Sequence, residues 1–106
     1  MRKAKIYYHD CLAGILSEED SGYRFVYDDD YLHKTDAMPI SVTMPLTQKV
    51  YESNVLFPFF DGLIPEGWLL DISVKNWKLD PRDRMGLLLT CCRDCIGAVS
   101  VEAIMD

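Results

Sequence analysis

Along the first third of the chain, apolar and polar residues alternate. In residues 3–8 (KAKIYY), Ala4, Ile6 and Tyr8 fall on one side, the period of a half-buried strand. His9 and Asp10 read as a short turn, and residues 11–16 as a second strand with a bulge expected at Gly14. Residues 18–22 (EEDSG) form a polar hairpin loop. Residues 23–27 (YRFVY) form a third strand with its aromatics on one face. Asp28, Asp29 and Asp30 stop that strand and cap a short helical segment at Tyr31, Leu32 and His33. Residues 40–44 alternate again and stop at Pro45, which suggests a fourth, edge-like strand.

After Tyr51 the period changes. Residues 56–63 predict a short helix with Asn54 as its N-cap, and Pro65 opens a second helix running to about Trp77. A third helix starts at Asp80-Pro81-Arg82-Asp83. Asp80 is its expected N-cap, Pro81 takes the first helical position and Asp83 lies in the positive first turn. That helix turns Met85, Leu88 and Leu89 inward and ends near Cys91. Residues 98–104 alternate once more, with Val99, Val101 and Ala103 on one face. The predicted fold class is α+β: a curved antiparallel β-sheet, a meander plus a closing C-terminal strand, with about three short helices packed on it.

Composition narrows the function. The chain has 106 residues, which suits a single domain over 1–106, and 49% of them are hydrophobic. Seventeen acidic residues against eleven basic ones give a net charge of -6, which argues against direct contact with nucleic acid or an anionic membrane. No apolar run approaches the ~18 residues of a membrane span. The N-terminal MRKAKIYYHD lacks the apolar region of a signal peptide, so a cytoplasmic protein is expected. There the four cysteines, Cys11, Cys91, Cys92 and Cys95, should be reduced. Cys92 and Cys95 have CxxC spacing. A structural zinc site would need a second pair, and a redox dithiol would normally open a helix, so ordinary buried thiols are the favoured reading over metal or redox chemistry. The three adjacent carboxylates lack the spaced ligands of a calcium loop. No Gly-rich phosphate loop, GxSxG or HExxH is present, so neither an enzyme nor a cofactor is expected.

The most apolar stretch, LFPFFDGLIPEGWLLD over residues 56–71, is divided by Pro58, Gly62, Pro65 and Gly67. On the second helix Leu70, Val74 and Trp77 share one side, while Trp68, Leu69 and Ile72 share roughly the opposite side, bordered by Asp71 and Lys75. One sheet can bury only one of these stripes. The other meets neighbouring helices or a partner protein. Trp77 reads as core and Trp68 as the better candidate for an interface anchor. The helix alone leaves open that both stripes are buried within the domain. Glu66 is a single carboxylate that supports the helix N-terminus.

These residues carry a resemblance. Residues 56–67 resemble the FFxNLLPEG signature of the HipA N-terminal domain. Residues 24–28 with Tyr31 and Leu32 resemble its FxYDxxYL segment, and Met44-Pro45-Leu46 its sMPL segment. Residues 83–89, followed by 93–98, resemble DxxxLLxxxGRDCxGA, which makes Cys95 a structural position of the family. The resemblance covers nearly the whole chain in order.

HipA proteins are Ser/Thr kinase toxins whose N-terminal domain precedes and packs on the kinase core. No kinase active-site residues are present here, so kinase activity does not carry over. A free-standing copy of the domain resembles HipS, the small antitoxin of HipBST systems, whose kinase HipT lacks this domain and whose HipB binds DNA. The resemblance therefore implies a cytoplasmic antitoxin that inhibits a HipT-like kinase and reaches DNA only through a HipB-like helix-turn-helix protein. The alternative is a non-inhibitory subunit scaffolding the kinase with the HipB-like protein. In two places the chain departs from the pattern. Gly62 stands where the family has Asn, and Trp68 where fused kinases are expected to carry a polar or basic residue. A separate subunit has no linker to raise its effective concentration, and a desolvated Trp supplies affinity in its place. The expected partner interface is Glu66, Gly67, Trp68, Leu69 and Ile72, pressed at or beside the kinase cleft.

Overall fold

The computed structural model describes residues 2–64, 83–91 and 98–104. Three strands follow one another directly: β1 (Lys3–Tyr8), β2 (Cys11–Glu19) and β3 (Gly22–Tyr27). A short helix, α1 (Asp29–Leu32), precedes β4 (Val50–Ser53). Among the described residues, two further helices, α2 (Pro58–Asp61) and α3 (Arg84–Cys91), lie between β4 and β5 (Val99–Ala103). The strands form one antiparallel sheet in the order β4-β3-β2-β1-β5. This is the α+β architecture that the alternating pattern predicts.

One face of the sheet forms the core. Ala4, Ile6, Leu16, Phe25, Tyr27, Val99 and Val101 are buried together with Tyr31, Phe60, Met85, Leu87 and Leu88 from the helices. Lys3, Arg24, Glu52 and Glu102, at the intervening strand positions, are exposed. Leu89 packs partly buried against the core, as the period predicts, and Ala103 is exposed although it shares the parity of Val99 and Val101.

Several boundaries differ from the sequence reading. The hairpin after β2 is tighter than the polar run suggests. Both strands extend into it, Glu19 pairs with Gly22, and only Asp20 and Ser21 form the turn. Gly22 allows this with φ at 151°, and a Cβ there would lie 2.2 Å from the Ser53 carbonyl oxygen. The bulge on β2 is real but sits one residue earlier. Ile6 pairs with Gly14 and Tyr7 with Leu12, leaving Ala13 as the extra residue, buried in the core.

Residues 40–44 are not a strand, and the fourth strand is Val50–Ser53. Ile40 and Met44 are buried and Val42 is 95% exposed, a strand-like alternation produced by a turn in which Met44 N–H donates to the Ser41 carbonyl. The polar groups that a strand partner would satisfy go to a tyrosine instead. The Tyr27 hydroxyl donates to the Met44 carbonyl and accepts from Ile40 N–H at 3.2 Å. Tyr31 donates to the Met38 carbonyl and Tyr51 to the Pro45 carbonyl, so three hydroxyls hold this loop against the domain.

The first predicted helix is shorter than expected. It starts at Pro58, with Phe57 rather than Asn54 at the N-cap position and no side-chain cap. Proline has no N–H to satisfy and presets the helical φ, so it can open the helix without one. The third helix is recovered as α3, whereas its predicted cap Asp80 and Pro81 lie outside the described residues, as does the second helix over 65–77. Asp83 directly precedes α3, and its Oδ1 accepts from Gly86 N–H at 3.1 Å.

Candidate partner-binding site

The first half of the apolar stretch is accounted for by the core. Leu56, Phe57, Phe60 and Ile64 are buried, and Phe59 and Leu63 are partly buried against them. The Phe60 ring lies 5.7 Å from Phe25 on β3, 6.0 Å from Phe57 and 5.3 Å from Phe59, centroid to centroid. After α2 the backbone tightens, with Leu63 N–H donating to Phe60 and Ile64 N–H to Asp61. The chain thus reaches Ile64 from a fixed aromatic base. The predicted interface residues Glu66, Gly67, Trp68, Leu69 and Ile72 lie outside the described residues, as do Pro65, Asp71, Lys75 and Trp77.

The points where the chain leaves for residues 65–82 and returns from them are described, and an ion pair joins them. Asp61 ends α2 and Arg84 begins α3, and Asp61 Oδ1 lies 2.6 Å from Arg84 Nε. One residue earlier, Asp83 meets Arg2. The Arg2 guanidinium donates through Nη1 and Nη2 to Asp83 at 2.8 and 2.7 Å, and through Nε and Nη2 to Glu18 at 2.9 and 2.7 Å. These hydrogen bonds hold the Asp83 and Glu18 carboxyls below their ordinary pKa and raise that of Arg2. Gly86 makes the approach possible, because a Cβ there would fall 2.4 Å from Asp83 Oδ2. The sequence reading missed Arg2, Glu18, Asp61 and Arg84. Their partners stand 16 to 81 positions apart, and no periodic pattern marks surface charges at such distances.

The described residues of the acidic turn take part in caps and pairs. Asp28 caps α1 by accepting from Tyr31 N–H at 3.4 Å, Asp29 pairs with Lys49 at 2.6 Å, and His33 is exposed with Nδ1 at 2.7 Å from the Asp29 carbonyl oxygen. No three His, Cys, Asp or Glu side chains among the described residues are grouped to hold a metal ion. The Cys11 thiol is partly buried with Lys34 Nζ 3.0 Å away, while Cys92 and Cys95 lie outside the described residues. No helix among the described residues is long and apolar enough to cross a membrane.

Fold and sequence together define an α+β domain built on an open antiparallel sheet, with an aromatic corner leading off α2. The model of the HipA N-terminal domain family matches residues 4–102, and the chain belongs to that family. An uncharacterized protein of Haemophilus influenzae is 31% identical over 102 residues, which take in 96% of this chain and 92% of that protein. The solved N-terminal domain of HipA toxin matches with a TM-score of 0.79 at 28% identity, covering 100% of this chain and 95% of that one.

Proposed function

We propose that this chain is an antitoxin of the HipS type, a cytoplasmic protein that binds a HipT-like Ser/Thr kinase toxin and blocks it. The observation that carries this reading is the family match taken with the length of a relative. The model of the family's N-terminal domain matches residues 4–102, and the Haemophilus influenzae relative, 92% of which is aligned, is a protein hardly longer than that domain. A domain acting apart from its kinase must hold it by surface contacts alone. The corner Pro65-Glu66-Gly67-Trp68 has the right composition: proline fixes a helix start, glycine removes bulk beside the partner, and the indole provides a desolvated anchor. Placed at or beside the kinase cleft, Trp68 with Leu69 and Ile72 would obstruct ATP binding or closure. The role is binding rather than catalysis, and DNA is reached only through a HipB-like partner.

Co-purification with a HipA-like kinase, sought among the products of the neighbouring genes, followed by a phosphorylation assay, tests the proposal. The kinase should be retained and silenced. Trp68→Ala should weaken the complex by about 2 kcal/mol or more, the range of an interface hot spot, with a nearly unchanged melting temperature. A kinase that is retained but fully active favours the scaffold role instead. A Trp68→Ala chain that inhibits like the parent, or that unfolds, removes Trp68 from the interface.

A further inference from the structure

Cys11 opens β2, and Lys34 follows α1. Their side chains meet, with Lys34 Nζ 3.0 Å from the Cys11 sulfur. The backbone fixes both partners. Asp28 N–H donates to the Ala13 carbonyl at 2.7 Å, fastening the start of α1 to β2, and Lys34 N–H donates to the Tyr31 carbonyl at 3.2 Å. Two hollows reach the pair. One of about 130 Å³ is lined also by Tyr8, His9 and Asp36, and one of about 320 Å³ also by Leu12, Asp28 and Asp30. Either admits a reagent larger than a water molecule, which needs only ~15 Å³.

A partly buried thiol beside an amine, reached by two hollows, can do oxidative chemistry that neither group does alone. Donation to the sulfur raises the Lys34 pKa, so the amine is an ammonium at neutral pH. A cation at this distance favours the thiolate, which is the form that peroxide oxidises. We infer that Cys11 and Lys34 form a reversible, peroxide-driven covalent bridge, Sγ–O–Nζ, that staples the end of α1 to the start of β2. The spacing selects the oxygen bridge. A single oxygen fits between atoms 3.0 Å apart with little movement, whereas a direct sulfur–nitrogen bond would require the gap to close much further. The chemistry balances with two molecules of hydrogen peroxide. The first transfers an oxygen to Cys11, giving the sulfenic acid and water. The second transfers an oxygen to the neutral Lys34 amine, giving the hydroxylamine and water. The hydroxylamine oxygen then attacks the sulfenic sulfur, the S–OH bond breaks, and a third water leaves. Sulfur and nitrogen each lose two electrons, and two peroxides are reduced. The bridge joins residues 23 positions apart, so it restricts the unfolded chain as a disulfide would. Neither residue belongs to the proposed docking corner, and the bridge is independent of the kinase reading.

Intact mass and peptide mapping test the bridge on the full chain, first reduced and then exposed to hydrogen peroxide. The expected product links the peptides of Cys11 and Lys34 with a gain of one oxygen and a loss of two hydrogens. It resists tryptic cleavage after Lys34 and reverts with dithiothreitol. It forms faster at about pH 9 than at about pH 7, because the amine must lose its proton, and it melts above the reduced chain. Lys34→Arg keeps a cation beside the sulfur without a primary amine, and should stop at a sulfenic acid that dimedone traps. A parent chain in which Cys11 ends as a sulfenic or sulfinic acid, with Lys34 still cleaved by trypsin, overturns the bridge. So does a Cys11 cross-link that loses two hydrogens without gaining oxygen, which reports a disulfide or a direct sulfur–nitrogen bond. An unchanged melting temperature in the bridged product overturns the staple.

Discussion

Tyr27 uses its hydroxyl twice, donating to the Met44 carbonyl and accepting from Ile40 N–H, in a fully buried position. Burial pushes its pKa up to about 12, so the phenol stays protonated and keeps its donor throughout the physiological range. The ring rests on Phe25 at 4.9 Å, edge to face, and stacks parallel to Tyr31 at 6.1 Å. Tyr27→Phe keeps these apolar contacts and removes only the oxygen, leaving one buried donor and one acceptor without their partner. A loss of about 1–3 kcal/mol is expected, read as a lower melting temperature at unchanged secondary structure. A melting temperature equal to that of the parent would show that the 40–44 loop finds its hydrogen bonds elsewhere. The sequence reveals the aromatic face of residues 23–27 but not the hydroxyl bonds, because Ile40 and Met44 have the same spacing in a strand as in a turn that buries both ends.

Among the elements, β1, β3 and β5 were readable because each alternates cleanly and buries one side. The short β4 was not. In Val50-Tyr51-Glu52-Ser53 no position is fully buried, and the strand is held by its pairing with β3 rather than by an apolar face. The ion pairs Glu18–Arg2–Asp83 and Asp61–Arg84 were not readable either, since their charges lie far apart in the chain. The chemistry of the first predicts a pH response. Glu18 and Asp83 titrate lower in the folded chain, where Arg2 holds them, than in the unfolded chain, where values near about 4.3 and 3.9 apply. The unfolded chain therefore binds more protons as pH falls, and the stabilisation is present above about pH 5 and lost below it. Arg2→Gln should melt lower than the parent near neutral pH, with the difference shrinking towards pH 3. A difference that stays constant across melts from about pH 3 to 7 would assign Arg2 a packing role without linkage.

For the molecule as a whole, a net charge of -6 sets the long-range field. The isolated protein should not retard DNA at about 0.15 M salt, because a chain with this excess of acidic residues is repelled by the phosphates rather than drawn to them. Retardation should appear only when the kinase and the helix-turn-helix protein are both added. A sequence-specific shift by the protein alone would contradict the proposed place of this chain in the complex. The sheet order has another consequence. β5 completes the sheet beside β1, with Ile104 N–H donating to the Lys3 carbonyl, so the earliest and latest strands of the domain are neighbours. A ribosome delivers them in the opposite relation, far apart in time. Until residues 98–104 emerge, one side of β1 lacks its strand partner and the hydrophobic layer lacks Val99 and Val101. The nascent chain must therefore wait with an open border, and sealing it by so distant a pairing is a slow, late event in the life of each molecule.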